Sequence, residues 1–390
     1  MTQPDRPLHV LFVAPAYWPA TRFGGPIPVM RALALGLSDA GHTVEVLTTS
    51  LLDVRGRPTG RTRVAHDHGA AVRYLATPLH YRWMGITPTV PLHLRRIARP
   101  DIVHVFGFRD PLGTMVSAWC RRQGVPYVFE ALGMFRPKLR KVALKRILDG
   151  TVLRPVWDGA AVAIACSGLE RTEYVEGGIG PHRIAIRPNG FPTPPAASAT
   201  AGALRTRLGL DQGQPLVVAA GRVAEGKGLD LLIRALPDVP ALHLAIIGPD
   251  DGHGTTERLI RMAAGLSVSG RIHLVGELAS QDLMSAFAGA DVVALASAHE
   301  NFGMVAAEAA ALGRAVLVSD RCGVAELLGE RAALVVPYTA GAVRDGLARL
   351  ITDEALRTRL GEAAADVARQ WSWARIVKLQ EEIYRRALAA

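Results

Sequence analysis

Cysteine is scarce in this chain, and no stretch is apolar enough to span a bilayer. Its 390 residues hold three cysteines, Cys120, Cys166 and Cys322, far apart and each set among apolar neighbours. That usage argues against a disulfide framework or a thiolate zinc site and fits a reducing, cytoplasmic compartment. Charged residues interrupt every window of about 18 residues, so no membrane-spanning helix is expected. Arg6 followed by the apolar run Leu8 to Ala16 imitates a secretory signal, but the run is short and serves directly as a first strand. Repeats of roughly 20 to 50 residues are missing, which argues against a solenoid. Neither half carries G-x-G-x-x-G after its first strand, the fingerprint a nicotinamide oxidoreductase would need. His66-Asp67-His68 offers liganding side chains without a third clustered partner and reads as a solvated polar loop, so no metal site is expected. The net charge of +10 comes without any nucleic-acid-binding motif.

What the chain has is alternation. With 49% hydrophobic residues it is long enough for two cored domains. The runs Leu8 to Ala14, Thr43 to Thr48, Ala71 to Tyr74, Ile102 to Val105, Tyr127 to Glu130 and Ala161 to Cys166 are separated by helical or loop stretches, which predicts parallel strands with crossovers. Pro192 to Ala201, rich in Pro, Ala and Ser, reads as a linker, and a second alternating half begins near Leu216. The expectation is an α/β chain of two Rossmann-like domains, residues 1–192 and 193–371, with a C-terminal helix from about 372 to 390 grouped with the first.

The most informative stretch is His299 to Gly313, HENFGMVAAEAAALG. It follows an apolar strand, places Glu300 on a loop, and opens an Ala-rich helix at Phe302-Gly303-Met304. The unpaired N–H groups of Gly303, Met304 and Val305, together with the helix dipole, form a site for phosphate. Glu308 projects from the same helix about a turn further in, where a ribose could offer two hydroxyls. Earlier, Gly221-Arg222-Val223-Ala224-Glu225-Gly226-Lys227-Gly228 follows the strand Leu216 to Ala220. Arg222 can fork two phosphate oxygens and Lys227 adds a mobile point charge, while the glycines let the backbone turn.

Glu-x7-Glu followed by EA-x3-G, about 80 residues after a GR…KG element, resembles the signature of family 4 glycosyltransferases, retaining enzymes of GT-B fold. Other segments match in order. Phe23-Gly24-Gly25 resembles the first glycine loop, Arg187 to Phe191 the segment ending the N-terminal domain, and Leu244 to Gly248 and Arg271 to Leu278 the next two strand-loops. Gly323 to Glu326 resembles the closing GG-x-x-E, with Cys322 in place of its first glycine and Glu326 equally readable as a helix N-terminal acid. The last helix, from Trp371 to Tyr384, resembles the one that crosses back to the N-terminal domain. The resemblance implies that Glu308 binds ribose and that Glu300 contacts the donor sugar or lies beside its anomeric carbon. It implies that backbone at Phe302, Gly303 and Met304 holds the diphosphate, that Gly24 and Gly25 approach it, and that backbone near Gly276 meets the base. It also implies a cleft between the domains, with the acceptor bound by the first and the donor by the second.

One departure stands out. Where relatives carry a histidine after the Tyr127 strand, this chain reads Ala131-Leu132-Gly133-Met134, so no catalytic histidine is carried over. Glu130 and His104 remain as acceptor-side candidates, His104 being equally readable as a packed strand residue. The expected reaction moves a glycosyl group from a nucleoside diphosphate sugar to a hydroxyl acceptor on a polysaccharide, a lipid-linked sugar or a natural product. Arg222 and Lys227 meet the leaving charge, Glu300 stands at the sugar, and neither cofactor nor metal is required. Asp250-Asp251 is not the Asp-x-Asp metal pair of the other main glycosyltransferase fold. An epimerase with the same cleft or a non-catalytic nucleotide-sugar binding protein would share most of these residues. Finally, Arg136, Lys138, Arg140, Lys141, Lys145 and Arg146 interleave with apolar residues. Such a segment reads either as a peripheral contact with an anionic inner membrane surface, near a lipid-linked acceptor, or as a solvated helix packed on its own domain.

Overall fold

The computed structural model describes residues 6–53, 60–81, 83–136, 148–151, 153–193 and 202–390. The chain divides into two compact units, residues 1–189 with 373–390 and residues 190–372. Residues 194–201 of the expected linker, and Lys138, Arg140, Lys141, Lys145 and Arg146 of the basic segment, lie outside the described residues. Arg136 is exposed, 3.8 Å from Glu176.

Unit 1 is built on an eight-stranded sheet: β1 (His9–Ala14), β2 (Thr43–Thr49), β3 (Arg63–Asp67), β4 (Ala70–Leu75), β7 (Ile102–Phe106), β8 (Tyr127–Glu130), β9 (Val162–Ala165) and β10 (Ile184–Ile186). A two-stranded hairpin, β5 (Leu79–Tyr81) and β6 (Met84–Ile86), stands apart. The order is β10-β9-β8-β7-β1-β2-β4-β3, parallel throughout except for β3, which runs antiparallel to β4 at the edge. Central strands are apolar without alternation because both faces are covered. In β1, five of six residues are buried. The edge strand β3 is mostly exposed.

That edge corrects one expectation. His66 and Asp67 are not loop residues but close β3, and Asp67 is held by the Arg31 guanidinium at 2.8 Å through both oxygens. The helix Trp373–Ala389 belongs to unit 1 and lies along the helix Pro26–Asp39. A Cβ added to Gly36 would sit 2.4 Å from Val377 Cγ2, so a glycine is what lets the two helices approach. His42 Nε2 lies 2.8 Å from Glu381 Oε1, which fastens the same helix to the sheet.

Unit 2 carries a six-stranded parallel sheet: β11 (Leu216–Ala220), β12 (His243–Ile247), β13 (Ile272–Gly276), β14 (Val292–Leu295), β15 (Ala315–Ser319) and β16 (Leu334–Val336). Its order is β13-β12-β11-β14-β15-β16. Strand order reverses at β11, whose neighbours are β12 and β14. In open α/β sheets a ligand crevice forms outside the carboxyl ends of the strands at such a reversal. The loops leaving β11 and β14 are therefore the two to inspect.

Candidate active site

Those two loops are Gly221 to Gly228 and Ala296 to Gly303, and they interlock. Lys227 Nζ lies 2.5 Å from Glu300 Oε2, with both side chains about a quarter to a third exposed. Ala298 N donates to Gly226 O at 2.8 Å. Gly228 has φ +66°, and a Cβ there would fall 1.8 Å from the Ala296 carbonyl oxygen, so backbone replaces side chain where the loops cross. Gly228→Ala is expected to cost about 2 kcal/mol or more of stability and to weaken donor binding, because the clash is with backbone and the conformation is left-handed. Urea unfolding beside a donor titration reads both effects.

Glu300 is pinned from its other side by the loop after β15. Its N–H donates to Arg321 O at 3.0 Å, Gly323 N donates to Glu300 O at 3.0 Å, and Val324 N donates to Phe302 O at 2.7 Å. Gly303 caps the helix Met304–Ala311 with φ +107°, and a Cβ there would lie 2.7 Å from Leu295 Cδ2. The N–H groups of Gly303, Met304 and Val305 donate to no carbonyl among the described residues, as the first turn of a helix requires. Phe302 is buried, edge-on to Phe191 at 6.2 Å between ring centroids. Within the same helix, burial pushes the Glu308 carboxyl up to about 7. Arg222 is exposed at the mouth of its loop and makes no ion pair among the described residues.

Three neighbouring strands of this sheet end on a glycine or just before one: β13 at Gly276, β11 before Gly221 and β12 before Gly248. Gly221 N donates to Ile247 O at 2.9 Å and Gly248 N to Gly276 O at 2.8 Å, and a Cβ at Gly248 would fall 2.0 Å from Gly221 O. The carboxyl edge beside β11 is thus bare backbone. Gly276 is exposed with φ +81°. The sequence singled out Gly221 and Gly276 separately; that they touch through Gly248 depends on strand order, which spacing does not reveal. Gly24 and Gly25 lie in unit 1, between the turn Thr21–Phe23 and the helix Pro26–Asp39. The Gly24 N–H is spent on Thr21 O at 2.9 Å and Pro26 has none, so the amide left to offer from this pair is that of Gly25.

Two family models match the chain: "Glycosyl transferases group 1" over residues 202–367 and "Glycosyl transferase 4-like domain" over residues 24–190. The chain belongs to the family 4 glycosyltransferases. Among curated relatives, the D-inositol 3-phosphate glycosyltransferase of Xylanimonas cellulosilytica is 35% identical over 201 residues, which is 50% of this chain and 48% of that protein. The chain spans about half the length of the curated relatives it matches. Among solved structures, sucrose-phosphate synthase from Thermosynechococcus elongatus superposes with TM-score 0.77 at 21% identity, over 97% of this chain and 99% of that one. Anabaena HepE, solved in complex with UDP and glucose, gives TM-score 0.76 at 18% identity over 96% and 98%. These likenesses identify the fold as GT-B.

Against that family, the acceptor-side expectation for Glu130 and His104 needs correction. Both are wholly buried, and a side chain so enclosed offers no surface to an acceptor. Glu130 accepts from Arg187 Nη2 at 2.6 and 2.7 Å. His104 Nδ1 lies 2.8 Å from the Tyr384 hydroxyl, and its Nε2 is 3.2 Å from Glu130 Oε2, off the line of a directed hydrogen bond. Burial opposes ionisation of Glu130, yet Arg187 and His104 hold its carboxyl below the usual range. Burial lowers His104 to about 4 despite that carboxylate, so the imidazole is neutral and structural. Leu132, in the loop after β8, has φ +54°. Cys322 is buried with its Sγ 3.3 Å from Ser319 Oγ, and Glu326 is exposed in the first turn of the helix Ala325–Ala332, as a helix N-terminal acid would be.

Proposed function

We propose that this glycosyltransferase moves a sugar from a nucleoside diphosphate sugar to a hydroxyl acceptor with retention of anomeric configuration. The observation that carries the reading is the Lys227–Glu300 pair at 2.5 Å, set at the strand-order reversal beside the open helix start at Gly303. When the bond from the anomeric carbon to the phosphate oxygen breaks, negative charge grows on the diphosphate and positive character on the sugar. Lys227, Arg222 and the amides of Gly303, Met304 and Val305 answer the first, and Glu300 answers the second. The departing phosphate oxygen takes the acceptor proton on the same face as the new bond forms, so no protein base is invoked and no metal is required. Unit 2 binds the donor and unit 1 the acceptor; the work is done at the inner face of the membrane, in making a cell-surface polysaccharide or a related glycoside.

Titration with UDP-, GDP-, ADP- and dTDP-sugars by calorimetry tests the donor half. One donor should bind tightly, and Glu308→Ala should weaken it; no binding to any of the four would defeat the reading. Chelation should leave turnover unchanged, and the anomeric proton coupling of the product reports retention.

Donor affinity should also depend on pH through Glu308. A ribose hydroxyl pair donates to an ionised carboxylate, and the free protein holds this group at about 7, above the ordinary value. Binding below that pH must expel a proton. Affinity is therefore expected to rise about tenfold between roughly pH 6 and pH 8 and then level off. Glu308→Gln should bind weakly and without that slope, and a sloping variant would point to another group.

A further inference from the structure

Glu300 is held by its backbone, and the two residues that hold it flank a single side chain. Its N–H donates to Arg321 O and its carbonyl accepts from Gly323 N, both at 3.0 Å, so the two segments meet in a bridge between Glu300 and Cys322. The same turn reaches further. Val324 N donates to Phe302 O at 2.7 Å, and a Cβ at Gly303 would stand 3.2 Å from Val324 Cγ1. Where the turn Arg321 to Val324 sits therefore decides where the loop carrying Glu300 sits.

Cys322 anchors this turn from beneath. Its buried Sγ lies 3.3 Å from Ser319 Oγ and 3.7 Å from the Leu295 carbonyl oxygen. Ser319, wholly buried, donates its single hydroxyl hydrogen to Ser297 O at 2.6 Å. The hydrogen between sulfur and Ser319 Oγ is therefore the thiol's. Burial lifts that thiol to about 11, with smaller contributions from Ser319, Glu300 and Lys227. It keeps its proton at neutral pH, within electrostatic reach of both members of the Lys227–Glu300 pair. The thiol thus ties the exits of β14 and β15 to the turn that holds Glu300. The backbone at Cys322 is not left-handed, so a side chain is admitted there without strain.

We propose that Cys322 is a positioning residue for the transfer reaction: through Ser319 and the Leu295 carbonyl it fixes the turn that sets the Glu300 carboxylate beside Lys227. The proposal rests on the role given to Glu300 above, and Cys322 acts through the backbone of that residue rather than on the substrate. A thiol-to-oxygen hydrogen bond is weak. A displacement of about 1 Å at a reacting group can nevertheless cost about 100-fold in rate, so a weak anchor under a carboxylate at the sugar has a large effect. A glycine at this place would leave the turn on backbone hydrogen bonds alone.

Two measurements on the whole protein test this, the first without any donor. Amide hydrogen exchange at Glu300 and Gly323 reads the two hydrogen bonds directly. In Cys322→Ala and in Ser319→Ala these amides should exchange about tenfold faster, while those of β11 keep the parent's rates. The second measurement is turnover with the donor that titration identifies. Each variant should lose about tenfold in kcat at saturating donor, with donor affinity within about twofold of the parent. The double variant should do no worse than the weaker single one, because both act through one contact. Cys322→Ser keeps a hydrogen-bond donor in that place and should retain kcat within about threefold. A general loss of stability would instead speed exchange throughout unit 2 and make the double variant additive. Should Ser319→Ala fail to fold, the two Cys322 variants carry the test. Unchanged exchange at both amides, faster exchange with the parent's kcat, or an additive double variant would overturn the proposal. If no nucleotide sugar binds the parent, the reading of the reaction falls by itself, and the exchange rates still decide whether Cys322 holds Glu300 in place.

Discussion

Replacing Lys227 with alanine is expected to lower turnover about 100-fold or more at saturating donor, and Arg222→Ala to do likewise. The two cations start from different states. Arg222 is exposed and makes no ion pair among the described residues, so in the proposed reaction it adds charge to an incoming diphosphate without giving anything up. Lys227 is held by Glu300 at 2.5 Å and, in the proposed reaction, divides itself between that carboxylate and the phosphate. Removing Lys227 also leaves Glu300 without its cation, so Lys227→Ala should disturb the sugar end of the site as well as the phosphate end. Glu300→Gln should separate the effects, because it frees Lys227 for phosphate while removing charge near the sugar. Its donor affinity should hold while its turnover falls. Near-normal turnover in both cation variants, measured with donor in excess, would withdraw Arg222 and Lys227 from the reaction.

Removing the carboxylate from the interior of unit 1 should have the largest effect on stability. Glu130→Ala leaves Arg187, itself wholly buried, as an enclosed cation without its partner, at an expected cost of about 3 to 5 kcal/mol. The guanidinium Nε has no hydrogen bond among the described residues, and Nη1 reaches only the Pro188 carbonyl, at 3.4 Å, a weak substitute for a carboxylate. Glu130→Met combined with Arg187→Leu should cost less than Glu130→Ala alone, since it removes both charges and retains volume. Urea unfolding of the three proteins decides the matter. A single variant that loses less than about 1 kcal/mol would mean that water reaches the pair.

The parts of the molecule that were legible before the structure are those whose cause lies within a few consecutive residues. β11, Leu216–Ala220, reads straight from the chain because a parallel strand covered on both faces shows as a short apolar run,. β3, of sequence RVAHD, escaped because an exposed edge needs no apolar run. β5 and β6 escaped because each has three residues and one contains a glycine. In the site, Gly303 and Glu308 are one helix and could be placed together from spacing. Lys227 and Glu300 are 73 residues apart, and their contact follows from the adjacency of β11 and β14, which periodicity does not encode. The same holds for Glu130 and Arg187, 57 residues apart. In the sequence, Glu130 looks like a loop-edge acid open to a ligand because its partner is invisible.

Unit 1 is assembled from the first 189 residues and from residues 373–390, and this arrangement sets an order on its making. Ribosomal synthesis delivers Pro26–Asp39 and His104 long before Val377, Glu381 and Tyr384, which cover them. Until then the nascent first unit carries an uncovered helix flank and a histidine lacking its tyrosine, while unit 2, contiguous in the chain, can complete its sheet. The unit begun first is thus the one finished last, and its exposed flank is where a chaperone would have reason to wait.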